Sequence, residues 1–434
     1  MRTHTRLCKL VIFVTTCLIV SGCASHSQKF SAVEKHLVEH HAGLALKELD
    51  ERYGKSSSDI VLYYLNKGLI LRMNEEYKKS NRALEKAKKY IDELETLSLS
   101  EQTTSLTIND STLSYTGERY EKILLYVYKA LNYIDLGKLD DARVEILQMD
   151  FKFRKLLDDN QKPVLSEDGF PRYFSGLIYE ASQEWSNALI AYRQAYESYN
   201  QSAAKVPEQL KTSLLRLTEH LGLFDELENH KKAFGISTWK NQRAFSELGE
   251  LVFIFQNGLA PVKYETAAHT LNPQTGHMIR IATPAYRPRP SIIKGAKIKI
   301  NNNDHPLGKI DDINSIAIKT LESRSAEIVA RALARAVLKY NASKQAANKD
   351  SALGVLINLA GTITERADTR SWSTLPYDIQ MTRVALQPGK YDLTIELIGN
   401  HGRIINKHIF SDVTITKKKK TFISYRWIPL YNTQ

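Results

Sequence analysis

The chain reads as an α+β protein of several domains: an α-solenoid of helical hairpins over residues 30–235, then a β-rich domain over 248–434 closing in an antiparallel β-sandwich. Three observations predict this. Small and aromatic residues recur in one register through the front half, the hydrophobic period turns from helical to alternating after Gly235, and charge is unevenly divided. From Gly258 onward there are 26 Lys and Arg against 13 Asp and Glu, a net of +13, whereas the residues before it carry 34 against 35. Such an imbalance speaks to partners rather than to fold.

Residues 1–22 read as a secretory leader. Arg2, Arg6 and Lys9 precede the apolar run Leu10–Val20, whose 11 residues fall well short of the roughly 20 that span a bilayer. The run ends in Val20-Ser21-Gly22-Cys23, the spacing of a bacterial lipobox. Cleavage is expected between Gly22 and Cys23, with lipid on the Cys23 thiol, because only small side chains enter the peptidase pocket. Two or three acyl chains on one residue, at about 0.8 kcal/mol per buried methylene, make such attachment permanent. Residues 23–29 would be the tether. Ala24, where Asp would retain the protein at the inner membrane, favours the outer membrane and its periplasmic face. Cys8 and Cys17 leave with the leader, so neither a disulfide nor a thiolate metal site is expected. Export excludes nucleic acid as a partner. The anions left for the basic half are peptidoglycan carboxylates, lipid phosphates and acidic proteins.

The front half repeats. Tyr64, Gly68, Leu71, Tyr77, Ser80, Leu84 and Ala87 alternate aromatic, small and large residues, and Tyr126, Ala130, Tyr133, Leu139, Ala142 and Ile146 do much the same. Gly176, Tyr179, Trp185, Ala188, Tyr192 and Ala195 make the clearest copy. A weaker one surrounds Gly222 and Phe224, and a degenerate one Ala45. Small residues let paired helices approach and aromatics fill the gap to the next pair, so the pattern resembles tetratricopeptide repeats, which bind peptides or proteins on a concave face. Key positions Ser80, Ala142 and Ala188 stand 62 and 46 residues apart, so insertions separate the units. Leu97–Gly117, rich in Ser and Thr, reads as a spacer.

After Gly235, Glu250–Phe255 is a strand candidate closed by Asn257-Gly258, and His277–Thr283 is another. Ala296–Ile300 alternates and should return through Leu307–Ile310. Ser325–Tyr340 is an amphipathic helix with apolar Ile328, Val329, Ala332, Leu333, Ala336 and Val337, expected to pack on a sheet, with contact to a membrane surface as the alternative. Ala352–Ile363 reads as a buried helix. Ile379–Leu386, Tyr391–Ile398, Ile404–Ile415 and Thr421–Trp427 form the four strands of the sandwich, with Lys417–Lys420 as a solvated hairpin tip.

No nucleophile elbow, phosphate loop or dinucleotide fingerprint is present in the sequence. His36-Leu37-Val38-Glu39-His40 fits the inverted zincin pattern, which on a helix would put His36 and His40 on one face beside Glu39. Three fixed positions arise easily by chance, and a packed helix explains them as well, so no metal or other cofactor is expected. Two segments are denser in chemistry. One runs from Gly249 to Pro261 and Lys263, and the other is Ala367-Asp368-Thr369-Arg370-Ser371-Trp372 with Leu375-Pro376. In an extended chain Asp368, Arg370 and Trp372 share a face, so the Arg would sit between an acid and an indole. That arrangement reads as a structural clasp or a binding site.

The lipobox, the repeats and these two segments together resemble a family of uncharacterised proteobacterial outer-membrane lipoproteins with a tetratricopeptide-like N-terminal region. The resemblance implies envelope work, since members tend to be encoded near lipoproteins that activate peptidoglycan synthases. The expected function is a non-enzymatic scaffold or adaptor, held to the outer membrane by lipid. Its helical domain would bind an envelope protein, and its basic half would bind peptidoglycan or another polyanion. The alternatives are a glycan-acting envelope enzyme or its subunit, and a component of a secretion or appendage assembly.

Overall fold

The computed structural model describes residues 26–54, 58–105, 114–158, 169–202, 204–271, 278–289, 291–348 and 366–429. Successive helices pair as hairpins: α1 (His26–Val38) with α2 (Ala42–Tyr53), and α3 (Ile60–Met73) with α4 (Tyr77–Ser105). Next come α5 (Arg119–Asp135) with α6 (Leu139–Asp158), α7 (Gly169–Ala181) with α8 (Trp185–Gln201), and α9 (Glu208–His220) with α10 (Phe224–Phe234). One backbone device recurs in all five. A residue in the left-handed region stands two positions before the second helix: His40 (φ 58), Glu75 (φ 60), Gly137 (φ 71), Gln183 (φ 60) and Gly222 (φ 70). Each turn is closed by the same amide bond to a carbonyl five residues back, as in Glu76 to Leu71 and Glu184 to Tyr179. The repeat is thus written in the turns as well as in side-chain size. At the crossings, a Cβ at Gly176 would overlap the Tyr192 ring, and one at Gly68 would overlap Leu84.

The sheet-rich part begins after a single turn, α11 (Gln242–Phe245). Its strands are β1 (Gly249–Asn257), β2 (Val262–Leu271), β3 (Met278–Arg287), β4 (Gly295–Ile300), β5 (Asn303–Pro306) and β6 (Gly308–Asp311). After helices α12 (Ile313–Ser323) and α13 (Ser325–Ala347) come β7 (Asp378–Leu386), β8 (Gly389–Ile398), β9 (Ile404–Ile415) and β10 (Lys420–Trp427). One sheet has the order β10-β1-β7-β6 and a second β5-β4-β8-β9, while β2 and β3 form a separate ribbon. β1 is buried along its whole length. Val252 and Ile254 join the helical core, whereas Leu251, Phe253 and Phe255 join Ile298, Leu393 and Ile395 of the second sheet. Alternation along one strand therefore feeds two apolar layers.

The first sheet lies on the inner helices α3, α5, α7 and α9. Every residue of α5 from Arg119 to Asn132 is buried, and so is every residue of α7 from Gly169 to Glu180 except Arg172. The concave face expected to receive a partner is instead filled by the chain's own strands. One apolar cluster contains Leu65, Tyr128, Phe174 and Leu214 together with Val252, Ile310, Ile379 and Met381.

Other expectations are also corrected. The last four strands do not form a unit by themselves: β7 and β10 lie in the first sheet, β8 and β9 in the second, and β10 pairs with β1 in parallel. The return from β4 is β5, whereas Gly308–Asp311 pairs with β7 in the other sheet. α4 continues to Ser105, shortening the spacer expected from Leu97. The expected helix at 352–363 lies outside the described residues. Among the described residues no helix is long and apolar enough to cross a membrane.

Candidate functional site

The two dense segments of the sequence meet where the helical layer joins the sheets. Residues 366–377 carry no regular structure and thread between α3, α5 and the β2–β3 ribbon. Backbone groups hold the thread at several points. Ala260 N–H donates to the Leu375 carbonyl (2.8 Å), and Thr374 N–H and Oγ1 donate to the Asn66 amide oxygen (3.2 and 3.0 Å). Trp372 N–H donates to Glu121 Oε1 (2.7 Å) and Ala367 N–H to Glu265 Oε2 (2.7 Å). Pro261 is buried beside this thread.

Charge is concentrated here. Arg370 donates through Nε and Nη2 to the two oxygens of Asp368 (2.9 and 2.8 Å), and its Nη1 reaches Asp59 Oδ1 at 3.3 Å and the Ser58 carbonyl at 3.4 Å. The guanidinium lies over the Tyr115 ring, 5.4 Å from its centre. Lys263, buried, donates to Glu118 Oε1 (3.2 Å), and Arg324 donates to the other oxygen (2.7 Å). Glu118 stands at the N-terminus of α5, where the helix dipole also favours a carboxylate. Glu121, one turn on, accepts from the Glu118 N–H (3.0 Å) and from the Tyr115 hydroxyl.

Proton affinities follow from these contacts. Burial would raise Asp368 and Glu118, but Arg370 lowers the first, and Lys263 and Arg324 lower the second, below ordinary carboxylates. Burial would lower Lys263 and Arg370, yet Tyr286 and Glu118 raise the first, and Asp368 and Asp59 the second. Glu121 is raised, chiefly by burial. His26 feels the field of the same group of charges; burial drives it down to about 4 against the pull of Asp59 and Asp368.

The structure therefore brings Lys263, Asp368 and Arg370 together, with Pro261 behind them. It separates Trp372 from the Arg. The indole points into the core, 1% exposed and 5.9 Å from the Tyr128 ring, so the stacking surface for Arg370 is Tyr115 instead. The shared face expected for Asp368, Arg370 and Trp372 does not form, because the thread is not a strand. Beside the ion pairs lies a cavity of about 170 Å³ bordered by Tyr115, Glu118, Lys263, Arg324, Asp368 and Arg370, smaller than the roughly 300 Å³ at which ordinary ligand pockets begin. These ion pairs link the N-terminal ends of α3 and α5 to the thread and to the β2–β3 ribbon.

The histidine pattern also resolves differently. α1 ends at Val38 and His40 is the left-handed turn residue of the first hairpin, so His36 and His40 share no helical face. His40 packs against Trp427, with ring centres 5.9 Å apart. Among the described residues no cluster of three His, Cys, Asp or Glu could hold a metal.

A second charged group was not anticipated. Glu180 of α7 accepts from Arg216 (2.6 Å) and Lys420 (2.7 Å), and Glu250 of β1 accepts from Arg383 (2.8 Å) and Lys420, each of these side chains no more than 6% exposed. Lys420 therefore leaves the solvated tip expected for Lys417–Lys420, because two buried carboxylates draw it inward. Above it opens a cavity of about 360 Å³ walled by Trp185, His220 and Phe245 and rimmed by Arg243, Lys418 and Lys419. The signal missed was Arg383, a base within an apolar strand.

No family model matches the chain, and no curated protein does so either. Among solved structures it is similar to a Podosopora anserina protein described as a kinesin light chain with nearly identical TPR-like repeats (10% identity, TM-score 0.30, 47% of this chain and 90% of that one). The Rap conjugation gene regulator of plasmid pLS20, in complex with the Phr* peptide, gives 16% identity and TM-score 0.28 over 47% of this chain and 50% of that one. The yeast Sti1 TPR2AB domain, in a pHSP90 complex, gives 13% and 0.22 over 47% and 74%. Scores this low carry no argument about shared function, and the hairpin register rests on this chain's own turns and crossings.

Proposed function

We propose that this chain is a non-enzymatic adaptor of the bacterial cell envelope. It is held by lipid on Cys23 to the periplasmic face of the outer membrane, and it binds an envelope protein through its outer helices. One observation carries the reading. Val144, Leu147 and Phe151 stand exposed along α6 (46%, 42% and 64%), spaced to form one apolar line on the outside of the helical layer. With the inner helices covered by strands, the outer layer is the surface left for a helix-borne partner. A photo-crosslinking residue placed at Leu147 in intact cells should yield a discrete adduct that Phe151→Asp abolishes; a smear unaffected by that change would count against the reading. Mass spectrometry of the new N-terminus checks the address: acyl mass on Cys23 is expected, and a free thiol overturns it.

The basic half faces peptidoglycan or another polyanion in this proposal. Arg243, Lys418 and Lys419 at the rim of the Trp185 cavity support it, since they could meet a carboxylate while the indole packs on an apolar face. Binding to isolated sacculi should weaken with salt and with Lys418→Glu/Lys419→Glu. Asp368 and Arg370 are engaged with each other rather than with an open cleft, which weighs against a glycan-acting enzyme.

A further inference from the structure

α13 carries two apolar faces where its sequence suggested one. Ile328, Ala332 and Arg335 are buried, and the helix packs on β3. On the other side Ala326, Val329, Ala330, Leu333, Ala334 and Val337 are all exposed, at intervals of three and four, an unbroken stripe about 17 Å long at 1.5 Å per residue. Val329, Leu333 and Val337 are exposed by 39%, 46% and 57%. The expectation that these three pack on a sheet is thus corrected. Lys344 continues the stripe about two turns beyond Val337, while Arg331 at its flank is paired with Glu327 at 3.5 Å. The helix holds one acid, Glu327, against four bases.

The position of this stripe relative to the start of the folded chain is informative. His26 opens α1 within electrostatic reach of Asp368 and Arg370, and those two residues border the same cavity as Arg324, Ile328 and Arg331. The tether expected over residues 23–29 is shorter, because α1 already begins at His26; Cys23 precedes it by three residues, at most about 10 Å of chain. An acylated Cys23 therefore keeps its bilayer close to this corner.

We infer that the exposed stripe of α13 lies against the bilayer that carries the acyl anchor. The occupant is a lipid surface, because the short tether keeps the bilayer beside the end of the helix that carries the stripe. An apolar stripe with a base at its end suits anionic headgroups above acyl chains. The inference rests on the lipid-anchored reading given above.

The mature chain has no thiol besides Cys23, which acylation consumes, so Leu333→Cys supplies a unique site for an environment-sensitive NBD dye. The acylated full chain is reconstituted into vesicles of phosphatidylethanolamine and phosphatidylglycerol, and Val144→Cys on α6 serves as the reference. The expected result is a blue-shifted NBD emission at residue 333, quenched by lipids bearing spin labels in their acyl chains, with neither effect at residue 144. Emission at 333 that matches 144 would falsify the inference. A blue shift that spin-labelled lipid fails to quench would overturn it in favour of a protein cover or a second copy. The variant Val329→Asp/Val337→Asp, labelled at the same Cys and checked for native circular dichroism, should lose the quenching. Acyl mass at Cys23, measured on the same samples, separates failure of the anchor from failure of the stripe.

Discussion

At the scale of single residues the clasp around Arg370 makes the sharpest demands. Its guanidinium is 6% exposed and answers Asp368, Asp59 and the Tyr115 ring at once. Removing it strands two half-buried carboxylates, so Arg370→Ala should cost about 3 kcal/mol, toward the lower end for a broken buried pair because Asp368 and Asp59 are each 24% exposed. Arg370→Lys keeps the charge and loses the fork, and should recover part of that cost; urea unfolding reads both. His26 adds a pH dependence. Its ordinary value is 6.5 and burial takes it to about 4 in the fold, so between those values the unfolded chain binds the extra proton. Stability therefore rises with pH through this window and is lost as pH falls from 6.5 toward 4, by an amount on the order of 3 kcal/mol. Glu34 and Glu121, both raised by burial, work in the opposite sense. The difference between wild type and His26→Phe isolates the histidine: the variant's unfolding midpoint should fall less between pH 7 and pH 4.5. An unchanged slope would place His26 in contact with solvent.

At the scale of elements, the repeats were legible because their physics is local. A glycine such as Gly176 is needed wherever two helix axes come close, and the aromatic opposite it, Tyr192, fills the space it leaves. Gly176→Ala should be the costlier of two matched changes, at least about 1–3 kcal/mol. The Tyr192 ring is rigid and its hydroxyl is tied to Glu180 (2.6 Å), whereas Leu84 opposite Gly68 can change rotamer. The turn register was less legible, since only Gly137 and Gly222 advertise a left-handed residue, while His40, Glu75 and Gln183 occupy the same position without a glycine. Gln183→Gly should accordingly gain about 0.5–1 kcal/mol by relieving that backbone, and Gly137→Ala should lose a similar amount; thermal melts of the pair decide it. Strands β1, β4 and β8 could be read from alternation or apolar runs. Their grouping into sheets could not, because strand order depends on contacts far apart in sequence. The stripe on α13 shows the same limit: a helical period reveals which residues share a face and leaves open whether that face is covered.

At the scale of the whole molecule, helices and first sheet share one core, as Tyr128 beside Trp372 and Leu214 in the cluster of Ile379 illustrate. Circular dichroism at helical wavelengths and near-ultraviolet tryptophan signals should then unfold in one coincident transition. Residues 26–235 expressed alone should bind hydrophobic dyes and aggregate, since the faces of α5 and α7 that meet the strands would open to water. A soluble, dye-silent fragment would show that the strands cover rather than complete the helical layer. The sequence assigned the two halves to separate domains because composition and period change between them, and both do. What it could not show is that α5 and α7 are buried on nearly every side for a reason that lies more than a hundred residues downstream.

The pairing of β10 with β1 has a bearing on how such a chain is made. Glu250 and Lys420 meet across 170 residues, and the strand that supplies Lys420 is the last to be synthesised among those of the first sheet. Until it arrives, β1 has an open edge and Glu180 lacks one of its cations. The helical hairpins can form as they emerge, each from neighbours in sequence, yet their inner surfaces must wait, exposed, for strands still to come. Folding during synthesis thus leaves the inner helix faces open to water until the last strand arrives.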